Sequence, residues 1–382
     1  MKIALVSPYD FAHPGGVPSH ISQLERKLTG MGNEVKVIAP ASRPIDTFDD
    51  RFIPIGNPWS IPSSGSIIRV SISLNLGPTI KKVLAREKFD IIHIHEPFMP
   101  MLSSAVLRFS DAVNIGTFHA SQGRPGYNWG KPISTWMIKR RHHKLHCRIA
   151  VSEPALKFAQ KNVPPGEYEI IPNGVDIEHF SPDVAPMEEF CDGKQNILFL
   201  GRLEHRKGLK YLLEAYKQIK QQMPNTRLIV VGPGTRLRKR YEKWILRNHV
   251  EDVVFTGYAR YSDLPRYYKT ADVYCSPATG RESQGIVLLE GMAVGTPVVA
   301  SNIEGYAGVI THREDGLLVP PKKSGELANA IITLLRDESL RHQIGEKGKA
   351  TAAKYSWESV ARRVYDCYIK AANSRGINFD TD

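Results

Sequence analysis

The sequence predicts an α/β protein made of two Rossmann-like domains, and three observations carry that prediction. Short β-branched runs alternate with amphipathic stretches from the first residue, a second alternating series restarts at Asn196, and a segment rich in turn formers separates the two. The 382 residues match two or three domains at roughly 100–200 residues each. A composition of 42% hydrophobic and 24% charged residues excludes disorder for the bulk of the chain.

In the first series, residues 2–7 read as a strand, 20–31 as a helix and 34–39 as the next strand, a βαβ opening. Further strands are expected at 91–95, 112–118 and 148–151, completing one parallel, doubly wound sheet. The second series places strands at 196–201, 227–231, 253–256, 273–276, 297–300 and 316–319, with helices at 211–222 and 286–293 between them. The proline, glycine and asparagine of 172–182, followed by Pro186, have linker character. The expected domains are therefore 1–182 and 183–356, with a last helix at about 357–382 whose Val360, Val364, Cys367 and Tyr368 share one side. Ligands of open α/β sheets lie outside the strand carboxyl ends, so two such domains are expected to face each other across a cleft that holds the chemistry.

Cys147, Cys191, Cys275 and Cys367 are widely spaced and form no Cys-x-x-Cys pair. Neither a disulfide framework nor a cysteine-based zinc module is expected, and reduced cytosol is the natural compartment. No apolar run approaches the roughly 18–20 residues of a membrane span, and the apolar start at 3–6 is too short for a signal peptide. The 51 Lys and Arg against 39 Asp and Glu give a net charge of +12, which favours anionic partners: nucleic acid, an anionic membrane or a phosphorylated small molecule. The basic runs at 139–144 and 236–240 lack any nucleic-acid-binding signature, so nucleic acid is set aside.

Three motifs point to phosphate chemistry. Gly15-Gly16-Val17 follows the first strand, where glycine lets backbone approach a ligand at a helix start; the alternative is a plain βα turn. It is not Gly-x-Gly-x-x-Gly, which disfavours a nicotinamide dinucleotide site. Gly201-Arg202-Leu-Glu-His-Arg-Lys207-Gly208 puts cations at a strand carboxyl end, able to clamp a diphosphate or simply to form a cationic loop. In the 277–297 segment Glu282 precedes a helix whose first N–H groups, near Gln284, Gly285 and Ile286, would face an anion, and Glu290 lies within that helix. A carboxylate there suits ribose hydroxyls; the bland alternative is a capping acid and a surface glutamate.

Taken together, the Glu282–Glu290 element, Gly-Arg-x-x-x-x-Lys-Gly at 201–208, Pro172-Asn-Gly-Val-Asp176 and Gly15-Gly16-Val17 resemble the retaining glycosyltransferases of family four. Ser7-Pro-Tyr9, His93-Ile-His-Glu-Pro97, Thr117-Phe-His119 and Arg148-Ile-Ala-Val-Ser152 are similar to the branch that glycosylates phosphatidylinositol. The resemblance implies the GT-B fold, with the last helix at about 357–382 packing back on the first domain, and transfer of a hexose, mannose from GDP-mannose first, to phosphatidylinositol or a related inositol phosphate lipid. It assigns Arg202 and Lys207 to the donor diphosphate, Gly15 and Gly16 to its close approach, Glu290 to the ribose, Glu282 to the transferred sugar and His119 to the reacting centre. Tyr9, Arg69 and Arg124 match acceptor positions, with Arg124 standing where the family has lysine. Rival readings are a UDP-sugar donor with another acceptor, and a non-catalytic nucleotide-sugar-binding or membrane-scaffold protein.

No cofactor or metal is expected. Asp-x-Asp occurs only as Asp380-Thr-Asp382, and His93-x-His95 reads as packing more than as ligation. A lipid acceptor implies a protein peripherally attached to the inner face of the cell membrane. Residues 79–88 read either as a basic amphipathic helix lying on anionic lipid or as a Rossmann helix with a solvated basic face, and 139–144 carry the same two readings.

Overall fold

The structure, a computed structural model, describes residues 1–13, 15–45, 50–63, 66–71, 73, 75–121 and 131–379. The chain forms two compact units, Met1–Asn173 with Trp357–Asp382, and Gly174–Ser356.

The strands of the first unit are β1 (Lys2–Val6), β2 (Glu34–Ala39), β3 (Phe52–Pro54), β4 (Pro58–Ser63), β5 (Ser66–Ser71), β6 (Ile91–His95), β7 (Val113–Phe118), β8 (Cys147–Ala150) and β9 (Glu169–Ile170). Seven form one parallel sheet in the order β3-β2-β1-β6-β7-β8-β9, while β4 and β5 make a separate antiparallel hairpin. Helices cover both faces, so the strands are apolar almost throughout. Ile3 and Leu5 pack with the helix Gly16–Gly30 and the tail helix Trp357–Asn373, whereas Ala4 and Val6 meet Ile80 and Val83 of the helix Gly77–Glu87. On β6 the same alternation turns Ile91, His93 and His95 together to the face that the tail helix covers.

The second unit contains β10 (Gln195–Leu200), β11 (Thr226–Val231), β12 (Val253–Gly257), β13 (Val273–Ser276), β14 (Val298–Ser301) and β15 (Leu317–Val319). Their order, β12-β11-β10-β13-β14-β15, is all parallel and doubly wound. The order reverses between β1 and β6 in the first sheet and between β10 and β13 in the second. The loops leaving those strands are where a ligand crevice belongs in each unit.

The unit boundary falls at Asn173–Gly174 instead of 182–183, because Val175 N–H donates to Tyr355 O (2.8 Å) and Phe180 is buried in the second unit's core. The turn-forming segment is thus packed structure. The expectation of unpaired cysteines is also corrected: Cys147 on β8 and Cys367 on the tail helix form a disulfide across a sequence separation of 220. Spacing concealed the pair, since only packing of the tail helix on the first sheet brings the two residues together. The disulfide removes the sequence argument for a reducing compartment.

Candidate functional site

In the second unit, three loops meet at the carboxyl edge of the sheet. Gly201 N–H donates to Val231 O (2.9 Å), and Thr279 N–H donates to Arg206 O (2.8 Å). Gly208 has φ +76, and a Cβ there would lie 1.8 Å from Pro277 O, so only glycine lets the 201–208 loop lie against the 277–285 loop. Gly208 also opens the helix Leu209–Gln222, and the chain Arg206-Lys207-Gly208 is fixed just before it.

That juxtaposition assembles a charge cluster. Arg206 Nε donates to Glu204 (2.8 Å) and its Nη1 to Glu282 (2.5 Å), while Lys207 Nζ lies 2.9 Å from the same Glu282 oxygen. Arg202 approaches Glu204 at 3.4 Å with its side chain half exposed. Of the residues singled out in the sequence, Lys207 and Glu282 are in contact. Arg206, the bridge between two carboxylates, was quoted in the motif but given no role; its position next to Lys207 was the available signal.

The helix Ile286–Val294 starts at Gly285, whose φ of +85 and approach to Tyr306 (2.7 Å from a Cβ placed there) exclude a side chain. Its first turn presents backbone N–H groups and the positive end of the helix dipole. Within the helix, Glu290 Oε2 lies 2.9 Å from Tyr268 Oη, which is also 3.0 Å from Val287 O. Burial pushes the Glu290 carboxyl up to about 7, against the opposing pull of Tyr268 and Lys207. Glu290 is therefore poised between acid and carboxylate near neutrality.

The first unit gathers four histidines at the carboxyl ends of β6 and β7. His95 Nδ1 is 2.8 Å from His119 Nε2; His93 stacks on His95 at 4.5 Å and meets Tyr368 Oη (2.7 Å) and Thr117 Oγ1 (2.6 Å). His20, from the helix Gly16–Gly30, sits edge-on to His95, His119 and Trp357, with Nδ1 2.9 Å from Asn173 Oδ1. Burial lowers His20 to about 4 and His93 to about 3, and holds His95 and His119 well below the usual imidazole range. All four are neutral at pH 7.

Glu96 fixes the backbone of the reacting-centre candidate. It is buried with φ +52, a left-handed conformation uncommon outside glycine, and its Oε1 accepts N–H bonds from His119 and Ala120 at 2.8 Å each. Neither Glu96 nor His20 was assigned a role from the sequence. His20, His95 and His119 offer nitrogens within 4.8 Å of one another, a grouping a divalent metal could use. The pair His93-x-His95, read from the sequence as packing, is not this grouping, and the hydrogen bonds already engage one nitrogen of each ring in the trio.

Tyr9 bridges to Val70 on β5, and Asp10 N–H donates to Arg69 O (3.0 Å), so Tyr9 and Arg69 share the hairpin junction. Burial raises the Tyr9 phenol, with the Glu96 charge adding to the effect. Arg124, within 122–130, and the Asp380–Asp382 motif lie outside the described residues. Gly15 precedes the helix Gly16–Gly30, and a Cβ on Gly16 would meet no atom of the described residues within 4 Å.

In the helix Gly77–Glu87, Ile80 and Val83 are buried while Lys81, Lys82 and Arg86 are exposed. Its apolar side is thus spent on the core, and what it offers a surface is charge. The helix Lys131–Arg141 instead exposes Trp136 (57%) beside Lys139 and Arg140, with the Arg140 guanidinium over the indole at 5.4 Å. No helix among the described residues is long and apolar enough to cross a membrane.

Residues 14–179 match the family described as Glycosyltransferase Family 4, and residues 186–351 that described as Glycosyl transferases group 1. The chain is 35% identical over 379 residues to phosphatidyl-myo-inositol mannosyltransferase of Mycobacterium tuberculosis, covering 98% of each. It is 26% identical over 374 residues to a GDP-mannose-dependent alpha-(1-6)-phosphatidylinositol monomannoside mannosyltransferase of the same species, covering 92% of this chain and 94% of that one. Among solved structures, a glycosyltransferase from Rickettsia africae gives a TM-score of 0.80 at 21% identity, covering 97% and 98%, a likeness of fold.

Proposed function

This chain belongs to the glycosyltransferases of family four, with the GT-B fold, and on that premise we propose that it transfers mannose from GDP-mannose to phosphatidylinositol with retention at the anomeric carbon. The observation that carries the reading is the charge cluster at 201–208 and 282 set beside the glycine-started helix at 285–286. Arg202, Lys207 and the first N–H groups of that helix take the donor diphosphate, Glu290 takes the ribose hydroxyls, and Glu282 takes the sugar. Gly15 and Gly16 supply bare backbone at another helix start.

In the reaction the acceptor hydroxyl oxygen bonds to the anomeric carbon as the bond from that carbon to the diphosphate oxygen breaks. The hydroxyl proton passes to the departing diphosphate, and GDP leaves. Charge grows on the diphosphate, so fixed cations and dipoles that meet it there lower the barrier without a metal. His119 stands beside the reacting centre, and Tyr9, Arg69 and Arg124 bind the inositol phosphate. The exposed cations Lys81, Lys82, Arg86, Lys139 and Arg140 hold the protein to anionic lipid.

The test is a donor panel of GDP-mannose, UDP-glucose, UDP-galactose and UDP-N-acetylglucosamine, read by thermal shift and by product analysis with phosphatidylinositol after chelator treatment. GDP-mannose alone should stabilise the protein and yield a mannosylated lipid. Turnover of a UDP-sugar, or restoration of lost activity only by a divalent ion, overturns the donor or the metal-independent part.

A further inference from the structure

The histidine cluster carries a proton assignment. With His95 Nδ1 and His119 Nε2 2.8 Å apart, one N–H lies between them. A neutral imidazole has one N–H and one lone pair, and both rings are held neutral by burial. His95 has no exposed surface, and its other nitrogen, Nε2, is buried with no hydrogen-bond partner among the described residues.

Two arrangements satisfy the short contact. If His119 donated, the proton of His95 would sit on Nε2, an N–H buried with no acceptor. If His95 donates from Nδ1, what is left unpaired is a lone pair. Buried donors without acceptors are the rarer and costlier case, so the second arrangement wins. The His95 ring is braced by His93 stacked on it, itself held between Tyr368 and Thr117, and His20 closes the edge. Glu96 fixes the His119 backbone. Of the bonded pair only His119 is part-exposed.

We propose that His95 is a positioning residue: it donates Nδ1–H to His119 Nε2 and so holds His119 as the Nδ1–H tautomer, which presents a hydrogen-bond donor and not a base to the reacting hydroxyls. This rests on the reading above that His119 stands beside the reacting centre. It agrees with a reaction in which the diphosphate, and not a side chain, takes the acceptor proton.

Long-range ¹H–¹⁵N correlation on the intact chain labelled at its 13 histidines reads the tautomer directly, with His119→Gln identifying the His119 signals. The wild type should show Nδ1 protonated and Nε2 bare at His119. His95→Asp offers only an acceptor and should move the His119 proton to Nε2, lowering kcat roughly 100-fold with the donor KM within about three-fold. His95→Asn places an amide N–H where the imidazole Nδ1–H stood; it should keep the Nδ1–H signature and recover at least about ten-fold over His95→Asp. A wild-type His119 protonated on Nε2 overturns the proposal without using any variant, as do Asp and Asn variants that agree in both readouts. Full activity of His119→Gln would instead overturn the placement of His119 at the reacting centre, leaving the tautomer standing.

Discussion

Lys207 Nζ lies 2.9 Å from the Glu282 carboxylate, on the oxygen that also accepts from Arg206. A cation assigned to the diphosphate and a carboxylate assigned to the sugar therefore share one site. Lys207→Ala removes a fixed charge from the proposed position of the leaving group, and Arg202→Ala removes a second. Each should lose roughly 100-fold to 1000-fold in turnover. Initial rates with GDP-mannose and phosphatidylinositol check this; near wild-type rates in both variants would sink the diphosphate assignment.

Glu290 gives a pH dependence of defined sign. Its carboxyl is raised from the ordinary 4.5 to about 7 by burial, so between those values the folded protein holds a proton that the unfolded chain has released. Stability from this group is complete below about 4.5 and is lost as pH rises through 7. With allowance for the solvent that reaches this part-buried residue, the loss is roughly 2 kcal/mol. Urea unfolding should show Glu290→Gln flattening that slope. In the proposed role Glu290 meets the ribose hydroxyls as a carboxylate, so the donor KM should fall as pH rises through 7 in the wild type and stay level in Glu290→Gln.

The parallel strands were legible because a strand covered on both faces must be apolar along its length: 91–95 and 273–276 coincide with β6 and β13. The hairpin of β4 and β5 was not, since Pro58 and Pro62 argue against strand and are tolerated only because the hairpin stands apart from the main sheet. At the site, Lys207 and Glu282 were named from their motifs. The partnership of Arg206 with Glu204 and Glu282, the left-handed Glu96 and the approach of His20 to His119 all join residues distant in sequence, and no local pattern encodes them. The same holds for Cys147 and Cys367.

Gly208 is the next test, and it separates loop geometry from charge. Its positive φ and the 1.8 Å that would separate an added Cβ from Pro277 O mean that Gly208→Ala must push the 201–208 loop from the 277–285 loop. The cost should be about 2 kcal/mol or more in stability of the second unit. Donor affinity should fall although every charged group remains. Thermal shift with GDP-mannose measures both, and an unchanged shift would show that the junction of the loops does not shape the donor site.

Surface charge can be tested apart from chemistry. Lys81 and Lys82 are exposed on a helix whose apolar side lies in the core, so the proposed attraction to lipid would be electrostatic and screened by salt. Lys81→Glu with Lys82→Glu should reduce flotation with anionic vesicles and leave turnover of a soluble, short-chain acceptor unaffected. Flotation indifferent to both the variant and the vesicle charge would dismiss this attachment.

The Cys147–Cys367 disulfide makes the last prediction. The first unit is assembled from two chain segments, Met1–Asn173 and Trp357–Asp382, and the bond ties them together covalently. Across a sequence separation of 220 it restricts a very long loop in the unfolded chain, and the expected stabilisation is roughly 2–5 kcal/mol. A dithiol reductant should therefore lower the urea midpoint of the first unit, and the double variant Cys147→Ser, Cys367→Ser should show the lowered midpoint with or without reductant. Tyr368, the next residue, holds His93, so the same reduction should also lower kcat. A midpoint unmoved by reductant would mean that burial of Trp357, Val360, Val364 and Tyr368 already seats the helix by itself.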